Sequence, residues 1–538
     1  MKRNVASIVL CSVDPARYPQ EELGIQSISA QLNTHGLCTE VYYYKTNNYK
    51  ELVPTPEVKI LGFSVFSTNY QFVNQIISWI KHIRSDIVIV IGGHYASDND
   101  NIFKLMPEVD YVINGEGEVT SLELFRRILD NDIDRLSEVE GIAFKKDNRI
   151  VRTMKRELIC DLDALSFPDR PLLRAGVCQE AMLETARGCT GACSFCSVNQ
   201  TKWRAKSISV VVNEIESIVR KYNVDVFSFT DSSFDNPFLN IERINDFADE
   251  IIRRKLNIKF MVYLKTKIYQ AKNNEMWDKL RRAGLTTVLV GIESFNKSDL
   301  ELFQKNANVK DNIECISMLS KLDFQLILGF INIHPYSTME TLKVNNEKLF
   351  ELRLAHKLYQ FNFLQMYPQT QICKMSIEDN LYVDRGYNLE EYEFIDPSVS
   401  KFAKYLKNNT FKNDAVKSIF TLITDLGRLE KFFYIIKRDA VYRENIGMCR
   451  IVENSMNEMK YLCSILDVLI YDYFNEYIEV FSKFICEEQA EMCTKSFVDK
   501  CQRLSLNKKL EIFRLSTIKR LLEYDKATTL KYLKIRQL

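Results

Sequence analysis

The stretch Glu184-Thr-Ala-Arg-Gly-Cys189-Thr-Gly-Ala-Cys193-Ser-Phe-Cys196 holds three cysteines at the spacing Cys-x3-Cys-x2-Cys. Thiolates favour zinc or an iron–sulfur cluster among the common metals. A structural zinc site needs a fourth ligand, and no Cys or His lies near enough in the sequence to supply one. A [4Fe–4S] cluster held by Cys189, Cys193 and Cys196 explains the three ligands, because its fourth iron stays open for a substrate. The alternative is three free, buried cysteines.

The segment Arg187-Gly188-Cys189…Cys193-Ser194-Phe195-Cys196 resembles the cluster loop of the radical S-adenosylmethionine (SAM) enzymes. The resemblance implies that the open iron binds the amino and carboxylate groups of SAM. It also implies that an electron from the cluster cleaves SAM to a 5′-deoxyadenosyl radical, which abstracts hydrogen from the substrate. The implied redox partner is an external electron donor such as flavodoxin or ferredoxin. The protein itself orients the cofactor and excludes competing reactions.

The composition is that of an ordinary globular protein and excludes several functions. The 538 residues leave room for about three domains. With 72 Lys and Arg against 71 Asp and Glu, the net charge is +1, so no global field attracts nucleic acid. Most of the 14 cysteines are scattered, which is typical of a reducing compartment. No apolar stretch reaches the ~18 residues of a membrane span, so we expect a cytoplasmic protein without a membrane partner.

Residues 1–160 alternate β-branched runs with helical patterns, which predicts a flavodoxin-like (Rossmann-type) α/β domain with a parallel sheet. The predicted strands cover residues 5–11, 40–44, 58–66, 87–91 and 111–113. The predicted helices cover residues 21–33, 70–84, 101–107 and 119–130. In such folds the ligand lies at the carboxyl ends of the strands. The small and polar residues at those ends are Ser64, Thr68, Asn69, Gly92, Gly93, His94, Gly115, Glu116 and Gly117.

This region resembles the cobalamin-binding domain that precedes the cluster domain in one large radical SAM subgroup. Gly92-Gly93 and Gly115-Glu-Gly-Glu118 match positions usual there, so we expect the strand-end residues to bind cobalamin. The motif Asp-x-His-x-x-Gly, which supplies a histidine to cobalt, is absent from Ser12-Val-Asp-Pro-Ala-Arg-Tyr-Pro. His94 is another candidate near the cofactor, although a lone histidine is more often a hydrogen-bonded loop residue. The alternative is a scaffold that has lost cobalamin and only shapes the substrate cavity.

Residues 161–177 are turn-rich, with two prolines, and predict a linker. Residues 178–384 alternate strand and helix again, with strands predicted at 182–186, 226–230, 260–265, 286–292, 325–333 and 360–366. Six such units suit the partial (β/α)6 TIM barrel of the resembled family.

Barrels carry functional residues at the carboxyl ends of their strands, and here those ends are polar. The resemblance implies that the SAM amino group is met after the second strand and the carboxylate near the third. It places the ribose or methionine portion at the fourth strand, and the adenine at the sixth and beside the cluster loop. The implied SAM-binding residues are Phe195, Asp231, Ser232, Lys265, Glu293, Ser294 and Tyr367.

Several of these residues also have a plainer interpretation. Asp231 fits a helix N-cap, Glu293 an ordinary buried ion pair and Lys265 a solvated strand end. Trp203-Arg-Ala-Lys-Ser207 resembles a Trp-Arg-x-Arg-Ser element of the subgroup, so Arg204 is expected to face the SAM carboxylate or the cobalamin periphery. No side chain is singled out as a catalytic acid, base or nucleophile.

Residues 385–538 predict a helical C-terminal domain, with amphipathic patterns at 414–436, 450–473, 476–492 and 510–533. The resemblance implies that this domain caps the barrel and helps to select the substrate. A packing or dimerisation bundle is the alternative. Cys486, Cys493 and Cys501 are expected to be small hydrophobic residues and not ligands of a second cluster.

Together these features predict a three-domain, cobalamin-dependent radical SAM enzyme. The resemblance implies that one SAM methylates reduced cobalamin while another supplies the radical that activates the substrate carbon. The expected reaction is C-methylation of an unactivated carbon in a natural product or ribosomal peptide. A radical enzyme that performs cyclisation, rearrangement or epimerisation is the first alternative. A non-catalytic sensor that binds cobalamin or a cluster is the second.

Overall fold

The computed structural model describes residues 6–14, 20–45, 50, 54–97, 99, 101–147, 149–198, 201–237, 239–383, 389–483 and 487–536. By its internal contacts the chain divides into two compact units. The first unit comprises Met1–Arg187 and Arg204–Val224. The second comprises Gly188–Trp203, Asp225–Asp384 and Leu389–Leu538. The boundaries of a three-domain division, after residues 160, 177 and 384, stay predictions.

The first unit contains a seven-stranded sheet with helices on both faces. Its strands are β1 (Ile8–Asp14), β2 (Thr39–Lys45), β3 (Ile60–Ser64), β4 (Val88–Gly92), β5 (Tyr111–Ile113), β6 (Ile142–Lys146) and β7 (Arg149–Arg152). Its first helices are α1 (Leu23–Thr34), α2 (Tyr70–Ile83), α3 (Ile102–Leu105) and α4 (Gly117–Leu129). The strand order is β2-β1-β3-β4-β5-β6-β7, and the first five strands are parallel. The predicted α/β fold class is confirmed.

The sheet is buried on both faces, which explains its nearly continuous apolar strands. Along β1, Val9 and Cys11 join the apolar layer that contains α2. Ile8 and Leu10, the alternate residues, join the layer of α1 and α4 on the other face. The antiparallel hairpin of β6 and β7 was not predicted from the sequence. Its strands are short, and their tips are largely exposed and charged, so they lack that apolar pattern.

The predicted linker is anchored by buried charges. The remaining elements of the first unit are α5 (Pro171–Arg174), β8 (Ala181–Leu183), β9 (Ala186–Arg187), β10 (Arg204–Ala205) and α6 (Ile208–Tyr222). Just before α5, Arg170 donates to Glu21 at 2.7 Å and to Glu214 at 2.6 Å. All three side chains are at most 3% exposed. Removing one member would leave an uncompensated buried charge, which costs several kcal/mol.

The second unit begins its regular structure with parallel strands alternating with helices. The strands are β11 (Val226–Phe229), β12 (Lys259–Lys265), β13 (Leu285–Glu293) and β14 (Gln325–Phe330), paired in that order. The helices are α7 (Ile241–Arg253), α8 (Asn274–Ala283), α9 (Lys297–Leu302), α10 (Val309–Leu319), α11 (Met339–Glu351) and α12 (Gln371–Glu378). These strands match the second to fifth strands predicted for the barrel.

The sixth strand, predicted at residues 360–366, is wrong as a full strand. Tyr359–Phe361 forms a 3-10 turn, and only an isolated bridge joins Ile333 to Phe363. The apolar run that suggested a strand is real, since Leu364 and Met366 are buried. The apolar pattern reflects burial and not strand pairing. The neighbouring strand β14 ends at Phe330, so residues 360–366 have no long strand with which to pair.

The rest of the second unit is helical. Its helices are α13 (Pro397–Asn408), α14 (Asp414–Arg438), α15 (Ala440–Glu444), α16 (Ile446–Lys483), α17 (Glu487–Arg503), α18 (Leu506–Tyr524) and α19 (Lys526–Arg536). The patterns predicted at 450–473 and from 476 onward belong to one helix, α16, because its buried stripe of Tyr473, Phe474 and Tyr477 continues through residues 474–475. Cys501 lies in the apolar core and Cys493 packs against it, whereas Cys486 falls outside the described residues. Across the described ranges, no helix has the length and apolar character that a bilayer span requires.

Gly284 ends α8 in a conformation that other residues rarely adopt. Its φ is +112°, and an added Cβ would lie 1.9 Å from the carbonyl oxygen of Ile258. We expect Gly284→Ala to destabilise the protein by about 1–3 kcal/mol, through backbone strain and steric overlap. Thermal unfolding should show a lower Tm. The matched control is Gly427→Ala inside α14, where an added Cβ meets nothing within 4 Å. Equal Tm values for the two variants would contradict the prediction.

Candidate cofactor sites

The backbone of the cysteine loop lies close to the sulfur atoms of its own cysteines. The backbone N–H of Gly191 donates to Cys189 Sγ at 3.3 Å. A Cβ at Gly191 would lie 3.4 Å from Cys189 Sγ and 3.9 Å from Cys193 Sγ. At the start of the loop, Gly188 has a φ of +84°, and an added Cβ would lie 2.6 Å from the Lys202 carbonyl oxygen. The loop can therefore follow this path only with glycine at position 188.

The segment between the second and third cysteines is clamped to neighbouring elements. Ser194 is buried; its backbone N–H donates to the Phe303 carbonyl at 3.1 Å, and its hydroxyl donates to the Leu302 carbonyl at 2.7 Å. The Ile372 N–H donates to the Ser194 carbonyl at 2.9 Å. Phe195, predicted to lie near adenine, packs edge-on against Phe303 with ring centroids 5.3 Å apart. The protein thus orders this segment by its own contacts.

A largely buried lysine, Lys305, influences the pKa values of the thiols. Lys305 Nζ lies 3.1 Å from Glu293 Oε1. Burial opposes the charge of Lys305, but the attraction of Glu293 holds the pKa of Lys305 above its usual value. Burial also raises the pKa of Cys193 and of Cys196, while the Lys305 charge opposes that rise. Sequence reasoning missed Lys305, because no strand-end motif marks its position.

The three thiols fit an iron–sulfur cluster better than a single metal ion. In the ranges that the structure describes, no group of three or more His, Cys, Asp or Glu is placed to hold one ion. A tetrahedral zinc draws all its ligands around one point. In a [4Fe–4S] cluster each cysteine binds a different iron, so the sulfurs stand further apart. Gly191 has no side chain at the point that lies within 4 Å of both Cys189 Sγ and Cys193 Sγ.

Two predicted SAM-binding residues follow β11, and a third ends β12. Asp231 is buried and Ser232 is exposed. Lys265 Nζ donates to Thr190 Oγ1 in the cysteine loop at 2.7 Å and also to Asn236 Oδ1. The structure therefore brings the ammonium group of Lys265 to the cysteine loop, and its role in SAM binding stays a prediction.

The end of β13 carries Glu293 in an uncommon backbone conformation. Its φ is +66°, and the register between β13 and β14 shifts between Gly291 and Glu293. A Cβ at Gly291 would lie 2.7 Å from Glu293 Oε1, and one at Gly329 would lie 3.5 Å from Glu293 Oε2. The absence of side chains at Gly291 and Gly329 thus leaves room for the Glu293 carboxylate, which pairs with Lys305.

Ser294 and Tyr367, the other predicted SAM-binding residues, make hydrogen bonds within the protein. Ser294 is buried, and its hydroxyl donates to Asp299 Oδ2 at 2.6 Å and also lies 3.1 Å from Asn345 Oδ1. The Tyr367 hydroxyl donates to Gln365 Oε1 at 2.8 Å. Ser294 would have to exchange these bonds to contact a ligand. Its role in SAM binding and that of Tyr367 stay predictions.

In the first unit, one buried amide holds the loop after β3, and a glycine shapes the loop after β4. Asn69 Nδ2 donates to the carbonyls of Val13 at 3.1 Å and Ser64 at 3.2 Å, and its Oδ1 accepts from the Phe66 N–H at 2.8 Å. Gly93 has a φ of +100°, and an added Cβ would lie 2.7 Å from the Val65 carbonyl oxygen. Asn69 and Gly93 therefore shape this edge, and their predicted contact with cobalamin stays a prediction.

Several residues at the edge formed by these loops are exposed. Thr68, Gly93, His94 and Gly115 are all exposed, and they follow three consecutive strands. Gly115 has a φ of +85°, and nothing lies within 4 Å of an added Cβ. Partial desolvation lowers the pKa of His94. The described residues of this edge therefore fit cobalamin, with or without a histidine bound to cobalt.

Glu116 and Arg204, predicted separately to face cofactors, are bonded to each other. Arg204 Nη1 donates to the two carboxylate oxygens of Glu116 at 3.0 and 2.9 Å, and Arg187 Nη1 donates to Glu116 Oε1 at 3.0 Å. Burial opposes ionisation, but these bonds hold the pKa of Glu116 below its usual value. An added Cβ on Gly117 would lie 2.6 Å from Ile28 Cδ1, so this glycine lets α4 pack on α1. Direct contact of these residues with a cofactor stays a prediction.

Comparison with known proteins yields two family matches. Residues 183–345 match the radical SAM superfamily, and residues 11–125 match the B12 binding domain. The two ranges contain the cysteine loop and the open sheet edge, respectively.

Individual relatives are similar over part of the chain. An uncharacterised methyltransferase of Pyrococcus horikoshii is 26% identical over 332 residues, which is 59% of this chain and 68% of the relative. An anaerobic magnesium-protoporphyrin IX monomethyl ester cyclase of Cereibacter sphaeroides is 28% identical over 57% of this chain, but the match spans only 51% of the cyclase. The solved structure of OxsB, described as a cobalamin-dependent radical enzyme with aqua-cobalamin and SAM bound, matches with a TM-score of 0.68 and 17% identity. That match covers 99% of this chain and 84% of OxsB, and at such identity it supports the fold.

Proposed function

We propose that this chain, which belongs to the radical SAM enzymes that carry a B12-binding domain, transfers a methyl group to an unactivated carbon of its substrate. The observation that carries the proposal is the presence in one chain of a three-cysteine loop and an open sheet edge suited to cobalamin. Bound together, the [4Fe–4S] cluster, SAM and cobalamin supply a radical initiator and a methyl carrier. The Pyrococcus horikoshii relative, described as a methyltransferase, supports this reaction.

Different residues of the second unit would bind the cluster and SAM. Cys189, Cys193 and Cys196 would hold the cluster, clamped by the contacts of Ser194. Lys305, which is largely buried and paired with Glu293, would offer a positive charge to the carboxylate of SAM. A charge-assisted hydrogen bond in a partly dry site is stronger than a neutral one. Lys305 would therefore orient SAM and would not itself react.

A radical reaction without methyl transfer is the second candidate. It is favoured by the cyclase of Cereibacter sphaeroides, which matches this chain over 327 residues. We infer that the substrate in either case is a small molecule or a peptide. The electron for each turnover would come from an external one-electron donor of the flavodoxin or ferredoxin type.

Product analysis separates the two candidates. Anaerobic protein with hydroxocobalamin, reductant and SAM bearing a deuterated methyl group is incubated with candidate substrates encoded by neighbouring genes. We expect 5′-deoxyadenosine and S-adenosylhomocysteine in equal amounts, together with a product that carries the label. The control omits hydroxocobalamin and should lose the labelled product. If 5′-deoxyadenosine forms with a modified but unlabelled product, the methyltransferase proposal is wrong and the second candidate holds.

A further inference from the structure

A chain of hydrogen bonds joins a lysine ammonium to the sulfur of the first cluster cysteine. Lys265 Nζ donates to Asn236 Oδ1 and to Thr190 Oγ1, and the Thr190 hydroxyl donates to the same Asn236 oxygen at 2.9 Å. The other end of the Asn236 amide, Nδ2, donates to Cys189 Sγ at 3.8 Å. Sulfur accepts hydrogen bonds at longer distances than oxygen, so this contact closes the chain.

The chemistry of Lys265 fixes which way the Asn236 amide points. An ammonium group has donors only, so it must face the amide oxygen. The amide NH2 must then face Cys189, although the two amide atoms look alike in most structure determinations. A positive charge on the oxygen side also polarises the amide and strengthens the donor on its far side.

The surrounding backbone holds both partners in place. Asn236 is 1% exposed. The backbone N–H of Lys265 donates to the buried Asp235 carboxylate at 3.2 and 3.4 Å. Cys189 Sγ also accepts the Gly191 N–H, so this sulfur receives two donors from the protein.

We propose that Asn236, oriented by Lys265, is a positioning residue that sets the reduction potential of the cluster through its hydrogen bond to Cys189. Hydrogen bonds to cluster sulfurs tune the potential. One-electron reduction adds negative charge to the cluster, so a donor at the sulfur stabilises the reduced form and raises the potential. The inference rests on the cluster assignment and is independent of methyl transfer. It also gives Lys265 a task other than the binding of the SAM carboxylate.

The test is a redox titration of the reconstituted full-length protein without SAM or substrate. The cluster is reduced with dithionite and followed by electron paramagnetic resonance. We expect Asn236→Leu to shift the midpoint potential to a more negative value, and Lys265→Met to give a smaller shift in the same direction. The matched control is Lys267→Met, which removes the same charge two residues away. Lys267 Nζ donates to Asn306 Oδ1 at 3.1 Å, so this variant should keep the wild-type midpoint.

Two results would overturn the proposal. The first is a wild-type midpoint in Asn236→Leu that retains its full iron content. The second is an equal shift in Lys265→Met and Lys267→Met, which would mean that net charge acts without the amide. If the leucine variant loses its iron, the isosteric Asn236→Asp serves instead, and its midpoint must fall below that of Lys265→Met. Wild-type protein without iron would count against the cluster assignment, and so against the proposed function.

Discussion

Cys193→Ala is expected to reduce the iron content from about four atoms per chain to a trace and to abolish 5′-deoxyadenosine formation. The three-cysteine loop has no spare ligand, because each thiol would hold a different iron. The contacts of Ser194 keep the loop in place with or without the thiol, so loss of iron would report the missing ligand and not a collapsed loop. Iron and sulfide assays on oxygen-free protein give the answer, with the visible spectrum as a second readout.

The matched control for this experiment is Cys493→Ala. Cys493 lies half-buried in α17 and packs against the helical core. We expect this variant to keep its iron, its brown colour and its 5′-deoxyadenosine yield. A Cys193→Ala protein with the iron content of the control would refute the three-cysteine site.

Lys259→Met is expected to destabilise the protein by about 3–5 kcal/mol, the second large effect. Lys259 is fully buried, and its Nζ lies 2.9 Å from Asp225 Oδ2 and 3.0 Å from Asp439 Oδ2. The Tyr532 hydroxyl lies within hydrogen-bonding distance of both carboxylates, and Lys531 Nζ donates to Asp225 at 2.6 Å. These ion pairs and hydrogen bonds join β12 to α19 and to Asp439, which follows the end of α14. Without Lys259, the partly exposed Lys531 must compensate two buried carboxylates, and it contacts only one of them.

Chemical denaturation at neutral pH measures this loss as a fall in the midpoint of the transition. Lys279→Met is the control, because Lys279 lies nearer the surface and pairs with the exposed Asp249 at 2.8 Å. Exposed pairs contribute about 0–1 kcal/mol, so the control should unfold close to wild type. The prediction would be contradicted if the two lysine variants unfolded at the same denaturant concentration.

The parallel strands of both units could be predicted because buried strands appear in the sequence as apolar runs. β5 coincides with the predicted residues 111–113, and β11 differs from its prediction by one residue. These strands are buried on both faces, so they read as apolar runs between turn residues. The same signal failed at residues 360–366, where buried residues form a bridge and not a strand. Apolar periodicity reports burial and leaves the hydrogen-bonding partner open.

The candidate site could be predicted where chemistry is encoded by local spacing or by the end of a predicted strand. The three cysteines lie close together in the chain, and their loop is recognisable for that reason. Lys305 and Asn236 escaped prediction because their importance comes from side chains that approach them only in the folded structure. Conversely, Glu116 and Arg204 were assigned to cofactors through the sequence elements that contain them, Gly115-Glu-Gly-Glu118 and Trp203-Arg-Ala-Lys-Ser207. A sequence does not reveal that two such charges neutralise each other.

The buried triad of Glu21, Arg170 and Glu214 constrains which segments of such enzymes can recombine during evolution. Its members come from the start of the chain, from the linker and from α6. A chimaera that received only residues 1–160 from another enzyme would keep Arg170 and Glu214 but inherit whatever residue stands in place of Glu21. Recombination would succeed more often when the crossover lies beyond α6, so that the three charges are inherited as one set.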